Sequence, residues 1–260
     1  DQPNMGSGAL VVTDNDLESA KKLAYAISAD YWERRYEIEA VVKTPEEAIE
    51  SGLKSDTGTI VLVETADCSG GGAAGDSVAT LRALLNNPEV ENAIAPVVDP
   101  KVAEVCHNLG IGSKVNCMLG HSIDTRWGNP IIVEGRIEDL SDGSFLYKGG
   151  IWDGVKGQMG PSAVIKSKEV RILVTSHATY DWADEQWQAV NINPSSTRFA
   201  VAKNPMNFHN VYKDNASQIH ILDTPGPTPA SVKKLPFKNL NHPCFPINEK
   251  ITKVEPTILT

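Results

Sequence analysis

Residues 57–87, TGTIVLVETADCSGGGAAGDSVATLRALLNN, decide how this chain is read. Thr59 to Val63 is short, β-branched and continuously apolar, the pattern of a strand buried on both faces. Val78, Leu81, Leu84 and Leu85 then recur at helical spacing, so a helix follows. A glycine-rich loop joins the two, and strand, loop and helix together make one α/β step. The neighbouring sequence repeats the rhythm. In TPEEAIESGL (44–53), Thr44 caps a short helix, Pro45 takes its first turn, Glu47 completes a capping box and Gly52 ends it. AIAPVVD (93–99) reads as a strand. Asp99-Pro100 opens another helix with Val102, Val105, Cys106 and Leu109 inward and Gly110 as its stop, and SKVNCML (113–119) is a strand again. Alternation over 44–119 implies crossover connections and a parallel sheet core.

On either side the pattern differs. Leu17, Ala20, Leu23, Ala24, Ile27 and Tyr31 form one stripe of an amphipathic helix over 16–36, with Asp14 or Asp16 as N-cap. Residues 120–175 carry alternating runs (IIVEGRIEDL, SFLYKGG, AVIKSKEVRILVTS) split by Ser-Asp-Gly and Gly-Gly turns, which predicts an antiparallel β layer or a small barrel. From Tyr180 on, helices around DEQWQAV and NFHNVYKD alternate with strands TRFAVA and QIHILD before a Pro-rich tail. The predicted fold is α/β: a mostly parallel central sheet with flanking helices and an antiparallel β-rich insertion, as one unit or two subdomains.

Composition narrows the function. The 260 residues are 41% hydrophobic and 22% charged, ordinary for a globular chain. A net charge of -9 argues against nucleic acid and anionic membrane surfaces as partners, although the stretch 198–253 is mildly basic. The four cysteines (68, 106, 117, 244) are far apart, which suits reduced thiols and a cytoplasmic location. No apolar run approaches the ~20 residues of a membrane span. The chain opens DQPNMGSG without an initiator Met, so a fragment or a processed product is expected.

Gly70 to Ser77 spells G-x-x-x-x-G-D-S, one residue from the phosphate-cradling G-x-x-x-x-G-K-[ST]. Asp76 stands where the lysine would supply charge, and it would set a carboxylate beside the phosphates. DTPG at 223–226 imitates a GTPase switch, but no base-reading motif follows it. Gly70, Gly72 and Gly75 can be read as a dinucleotide fingerprint that lacks its acidic residue about 20 positions on. A glycine loop between strand and helix still turns backbone N–H groups toward a ligand, and the helix terminus favours an anion. The plainer alternative is a sharp turn with Asp76 or Ser77 as N-cap. The six histidines show neither H-E-x-x-H nor H-x-H, so no complete metal site is found. No G-x-S-x-G elbow occurs; Ser77 caps or is activated, and Cys68, beside a helix N-terminus, is a candidate low-pKa thiol. In KNPMNF (203–208), Lys203 reads equally as a surface lysine or as a cation at a strand's carboxyl edge, with Asn204 and Asn207 as amides that fix a substrate.

Several stretches resemble, in order, the C-terminal half of the microcystinase C-like (MlrC-like) metallopeptidases. MGSGALVVTDND followed by LESAKKLA is similar to that family's MG-x-x-x-VVTDGD segment and helix, and TPEEAI precedes the strand as it does there. ETADCSGGGAAGDS resembles its D-N-P-G-G-G-x-P-G-D-S/T loop, and VVDPKVAEVCHNLGIGSKV its P-I-x-D-P-x-x-V…G-x-G-x-x-V run. VAKNPMNF resembles V-V-K-[SN]-x-x-x-[FY], and the stretch from His220 to Asn248 its closing D-T-P-G…L-P-[YF] tail. Cys68-Ser69 replaces Asn-Pro, Ala74 replaces a common Pro, and His209 and His242 stand where many members carry Arg.

The resemblance implies a metal-dependent hydrolase of amide or peptide-like bonds, with zinc expected. The family's ligands (an Asp-x-His pair, a further His and a Glu) lie in an N-terminal half outside this sequence. Residues 1–64 then correspond to the end of the N-terminal region and 65–250 to the C-terminal domain. On this reading the partners are the metal-binding half, a small peptide-like substrate and a further copy in a homo-oligomer. Gly70, Gly71, Gly72, Gly75, Asp76, Ser77, Lys203, Asn204 and Asn207 bind substrate carboxylate or an anionic intermediate, with Asp76 capping the helix while the glycines face the ligand. The alternative is a non-catalytic α/β module that binds a small anion.

Overall fold

A computed structural model describes residues 1–260 except 56, 182, 254 and 260. Two compact units are present, one of Val42–Ala230 and one of Asp1–Val41 with Ser231–Thr260. In the larger unit the apolar runs pair into a nine-stranded sheet. Its members in chain order are β1 (Val42–Lys43), β2 (Thr59–Val63), β3 (Ala93–Val98), β4 (Lys114–Leu119), β5 (Ile131–Ser141), β8 (Ser162–Ser167), β9 (Val170–Thr175), β10 (Phe199–Ala202) and β11 (Ala216–Leu222). Between β5 and β8, β6 (Ser144–Leu146) and β7 (Lys156–Gln158) form a separate hairpin. The spatial order is β1-β11-β2-β10-β3-β9-β8-β5-β4. From β1 through β9 every neighbour is parallel, and from β9 through β4 every neighbour is antiparallel.

The mixed α/β fold with its mostly parallel sheet is therefore as the sequence reads. Two details differ. The β-rich segment is antiparallel as expected but not a barrel: β5, β8 and β9 continue the central sheet edge to edge. β4 closes the far edge antiparallel to β5, although its helix–strand approach resembles that of a parallel strand.

Both faces of the parallel part are covered, which explains the unbroken apolar strands. Along β2, Ile60 and Leu62 enter one core with Ile49, Leu84, Val102 and Phe199, while Val61 and Val63 enter another with Leu173, Trp187 and Tyr212. Each such side chain contributes about 1.5–3 kcal/mol by leaving water. Three helices serve the first core: α2 (Pro45–Leu53), α3 (Ala79–Asn86) and α4 (Pro100–Leu109). The capping box of α2 forms as predicted between Thr44 and Glu47. Gly52 does not end this helix but lies in its last turn, where a Cβ would sit 2.8 Å from Ile60 Cγ1. Close approach, not termination, sets the glycine there. α5 (Glu185–Gln188) and α6 (His209–Tyr212) are single turns on the second face.

In the smaller unit, α1 (Leu17–Glu33) starts at Asp16, whose side chain accepts from the Ser19 N–H at 3.0 Å. None of its residues is buried, so the predicted stripe exists but is not covered. Among the described residues, no helix is long and apolar enough to cross a membrane.

Candidate functional site

Because β2, β3, β9 and β10 are mutually parallel, their carboxyl ends share one edge, where ligands bind in open α/β sheets. The glycine loop leaves β2 there as two tight turns, Thr65–Asp67 and Ser69–Gly71, followed by Gly72 at φ 92° and Gly75 at φ 76°. Asp67 organises it. One carboxylate oxygen accepts from the Gly75 N–H at 2.8 Å, the other from the Ser77 N–H at 2.7 Å. Lys203, at the end of β10, donates to Asp67 Oδ2 at 2.8 Å, to the Gly75 carbonyl at 3.1 Å and to the Ser77 carbonyl at 2.8 Å. Both side chains are more than nine-tenths buried. The concave backbone that a glycine loop offers to an anion is here occupied by the protein's own carboxylate.

Each predicted site residue can be placed against this frame. A Cβ on Gly70 would run into the Tyr180 ring, and one on Gly71 would come within 2.6 Å of Thr228 Cγ2. Gly71 N–H donates to the Cys68 carbonyl and Gly72 N–H to that of Ser69. Asp76 does not cap α3. Its Oδ2 accepts from the N–H groups of Ile123 and Asp124 at 2.8 and 2.9 Å and pins the loop after β4. Val78 is the residue at the helix start, with no side-chain cap, and the nearby Ser77 hydroxyl accepts from Ala79 N–H at 3.3 Å. The same hydroxyl donates to Glu64 Oε1 at 2.8 Å. Lys203 is no free cation, since an ammonium has three donors and all three are committed. Asn204 shapes its own turn by accepting from Met206 and Asn207 N–H, and it donates to the Asp181 carbonyl at 2.7 Å. Asn207 donates to the Tyr180 hydroxyl at 2.7 Å. The nine residues thus gather at one edge, but much of their polarity is directed inward.

DTPG also finds its use here. Thr228 donates from Oγ1 to the Thr65 carbonyl at 2.7 Å and accepts from Cys68 N–H at 3.2 Å. A Cβ on Gly226 would overlap the Ala66 carbonyl. The segment is a clasp on the glycine loop.

A small, partly open cavity of about 60 Å³ lies beside the loop, lined among others by Asp67, Ser69, Gly75, Asp181, Gln186 and Lys203. Burial raises the Asp181 carboxyl to about 7, and Glu185 adds to that, against the opposing effect of the Lys203 N–H and charge. Burial likewise raises Glu64, with Lys203 opposing. Cys68 moves opposite to the expectation for a helix terminus: burial pushes its thiol up, so it is no activated nucleophile. Asp67, Glu64, Asp181 and Gln186 were not singled out from the sequence as site residues. Asp67 carried a signal, an acid at one strand end facing a lysine at another. Asp181 lies in an irregular segment with no motif.

Among the described residues, no three His, Cys, Asp or Glu side chains converge to hold a metal ion. His107 Nε2 lies 3.0 Å from the Ser162 carbonyl and His220 Nε2 2.8 Å from Gln218 Oε1, each engaged locally.

Comparison with known proteins places these features. Microcystinase C from Sphingomonas sp is 26% identical over 209 residues, which cover 78% of this chain and 40% of that protein. The crystal structure of a candidate metallopeptidase from Mesorhizobium sp. BNC1 superposes with a TM-score of 0.78 at 23% identity, over 90% of this chain and 47% of that one. The chain thus spans less than half the length of these two relatives. Residues 62–239 match the family model described as MlrC C-terminus, and the chain belongs to that family.

Proposed function

We propose that this chain is the substrate-facing part of a metal-dependent, peptidase-type hydrolase of amide or peptide-like bonds, with zinc as the expected metal. The observation that carries this reading is a cavity at the carboxyl edge of the parallel strands, in a chain of the MlrC C-terminus family. The relatives support it through their names, a microcystinase and a candidate metallopeptidase. The residues described here do not fit a metal, because no suitable ligand cluster forms. The ligands are therefore assigned to a part of the longer protein outside this chain. What the chain supplies is a rigid wall. Asp67 and Lys203 fix the glycine loop, Asp76 fixes the loop at 121–124, and Asn204 and Asn207 hold the 180–181 segment over the cavity. Preorganised walls of this kind orient a substrate against a reacting centre.

The test compares this chain with a longer protein that contains it, measuring bound zinc and hydrolysis of peptides. Zinc and turnover are expected only in the longer protein. Stoichiometric zinc and turnover by this chain alone overturns the division. A longer protein without metal or turnover overturns the hydrolase reading in favour of a binding module.

A further inference from the structure

The cavity's chemistry runs opposite to the anion site that a glycine loop suggests. Its walls are largely apolar, with Val98, Met159, Leu173, Ala178 and Trp187 among them. Lys203 lines it, yet the ammonium is spent on Asp67, Gly75 and Ser77. Gln186 is only 7% exposed; its amide nitrogen donates to the Tyr180 carbonyl at 2.8 Å and to Thr179 Oγ1 at 3.4 Å. Among the described residues its Oε1 has no hydrogen-bond partner. Asp181 lines the same cavity and makes no ion pair among the described residues. The charged and amide donors at this cavity are thus used up; Gln186 Oε1 is left unpaired among the described residues, and the Asp181 carboxylate, which accepts the Lys203 backbone N–H, keeps further lone pairs for a donor. A buried acceptor left unpaired is costly, and a donor brought by a ligand removes that cost.

We propose that the cavity binds a primary amine on an apolar stem, with the ammonium between the Asp181 carboxylate and Gln186 Oε1 and the stem against Trp187, Leu173 and Met159. An anion is excluded from the loop's nest by Asp67, which already fills it. As substrate recognition this rests on the hydrolase reading, where the amine is a free amino group of a peptide-like substrate. The binding itself does not.

The Asp181 carboxyl titrates at about 7 through burial. The charged and titratable groups that act on it or feel it are Glu185, Lys203, Cys68, Tyr147 and Tyr212. An alkyl ammonium keeps its proton well above that range. Affinity for the amine therefore follows ionisation of Asp181.

The experiment is calorimetric titration of this chain with propylamine, whose short stem suits a cavity of about 60 Å³, with butyrate as the isosteric anion, at pH 6 and pH 8. The amine is expected to bind about tenfold more tightly at pH 8, and the anion not at all. Asp181→Asn is expected to lose the pH dependence and to weaken binding at pH 8 about tenfold. Gln186→Met should weaken binding at both pH values. Failure of the amine to bind at millimolar concentration, equal or tighter binding of the anion, or an amine affinity that Asp181→Asn leaves unchanged each overturns the proposal. Hydrolysis enters none of these readouts. Turnover by the longer protein without amine binding sinks this proposal alone, and amine binding without turnover supports it while sinking the hydrolase reading.

Discussion

Lys203 and Asp67 form a buried pair, and removing one partner strands the other. Lys203→Met should destabilise the chain by about 3–5 kcal/mol, read as a lower denaturant midpoint, because Asp67 is left charged and dry. A lysine that only contacted a ligand would leave the midpoint unchanged. The glycines divide by environment. Gly75→Ala meets both φ 76° and Val98 Cγ2 at 2.7 Å, and should cost about 1–3 kcal/mol. Gly72→Ala meets an unfavourable φ in open space and should cost about 1 kcal/mol. Thermal unfolding of the two variants side by side checks the order. At this scale the sequence showed which residues gather but not which way they point. Asp76 stands at the right position for a cap, and only the loop at 121–124, more than forty residues later, diverts its carboxylate.

Asp76 also sets a prediction for a whole element. Asp76→Ala leaves the N–H groups of Ile123 and Asp124 without their acceptor, so amide exchange there should accelerate while β2 and β3 keep their protection. Loss of protection across β2 as well would show that Asp76 holds more than this loop. Strands and long helices were legible because both follow apolar periodicity, and the box at Thr44 and Glu47 followed from local chemistry alone. Strand direction was not. β3 and β4 each follow a helix, yet β4 runs opposite to β3, because its partner β5 comes later in the chain. The β-rich segment showed its alternation but not its neighbour, since pairing of β9 with β3 is non-local.

For the molecule as a whole, the buried acids shape the response to pH. Asp181 keeps its proton to about pH 7 when folded, against 3.8 as its ordinary value. The folded state therefore binds more protons between those values, and stability falls as pH rises through that window. Glu64, also raised, adds in the same direction. Denaturant midpoints from pH 4 to 8 should show the fall, and Asp181→Asn should flatten part of it; an unchanged slope would mean that Asp181 ionises normally. Fold class and family were readable from residues 44–119 and the motifs around them. The cavity's preference was not, because it depends on which donors the protein uses for itself. That internal use has a last consequence. A loop whose counter-ion is built in and shielded from water is indifferent to the ions outside: salt that screens surface pairs should leave the join between Asp67 and Lys203 intact, and added phosphate should not raise the melting temperature.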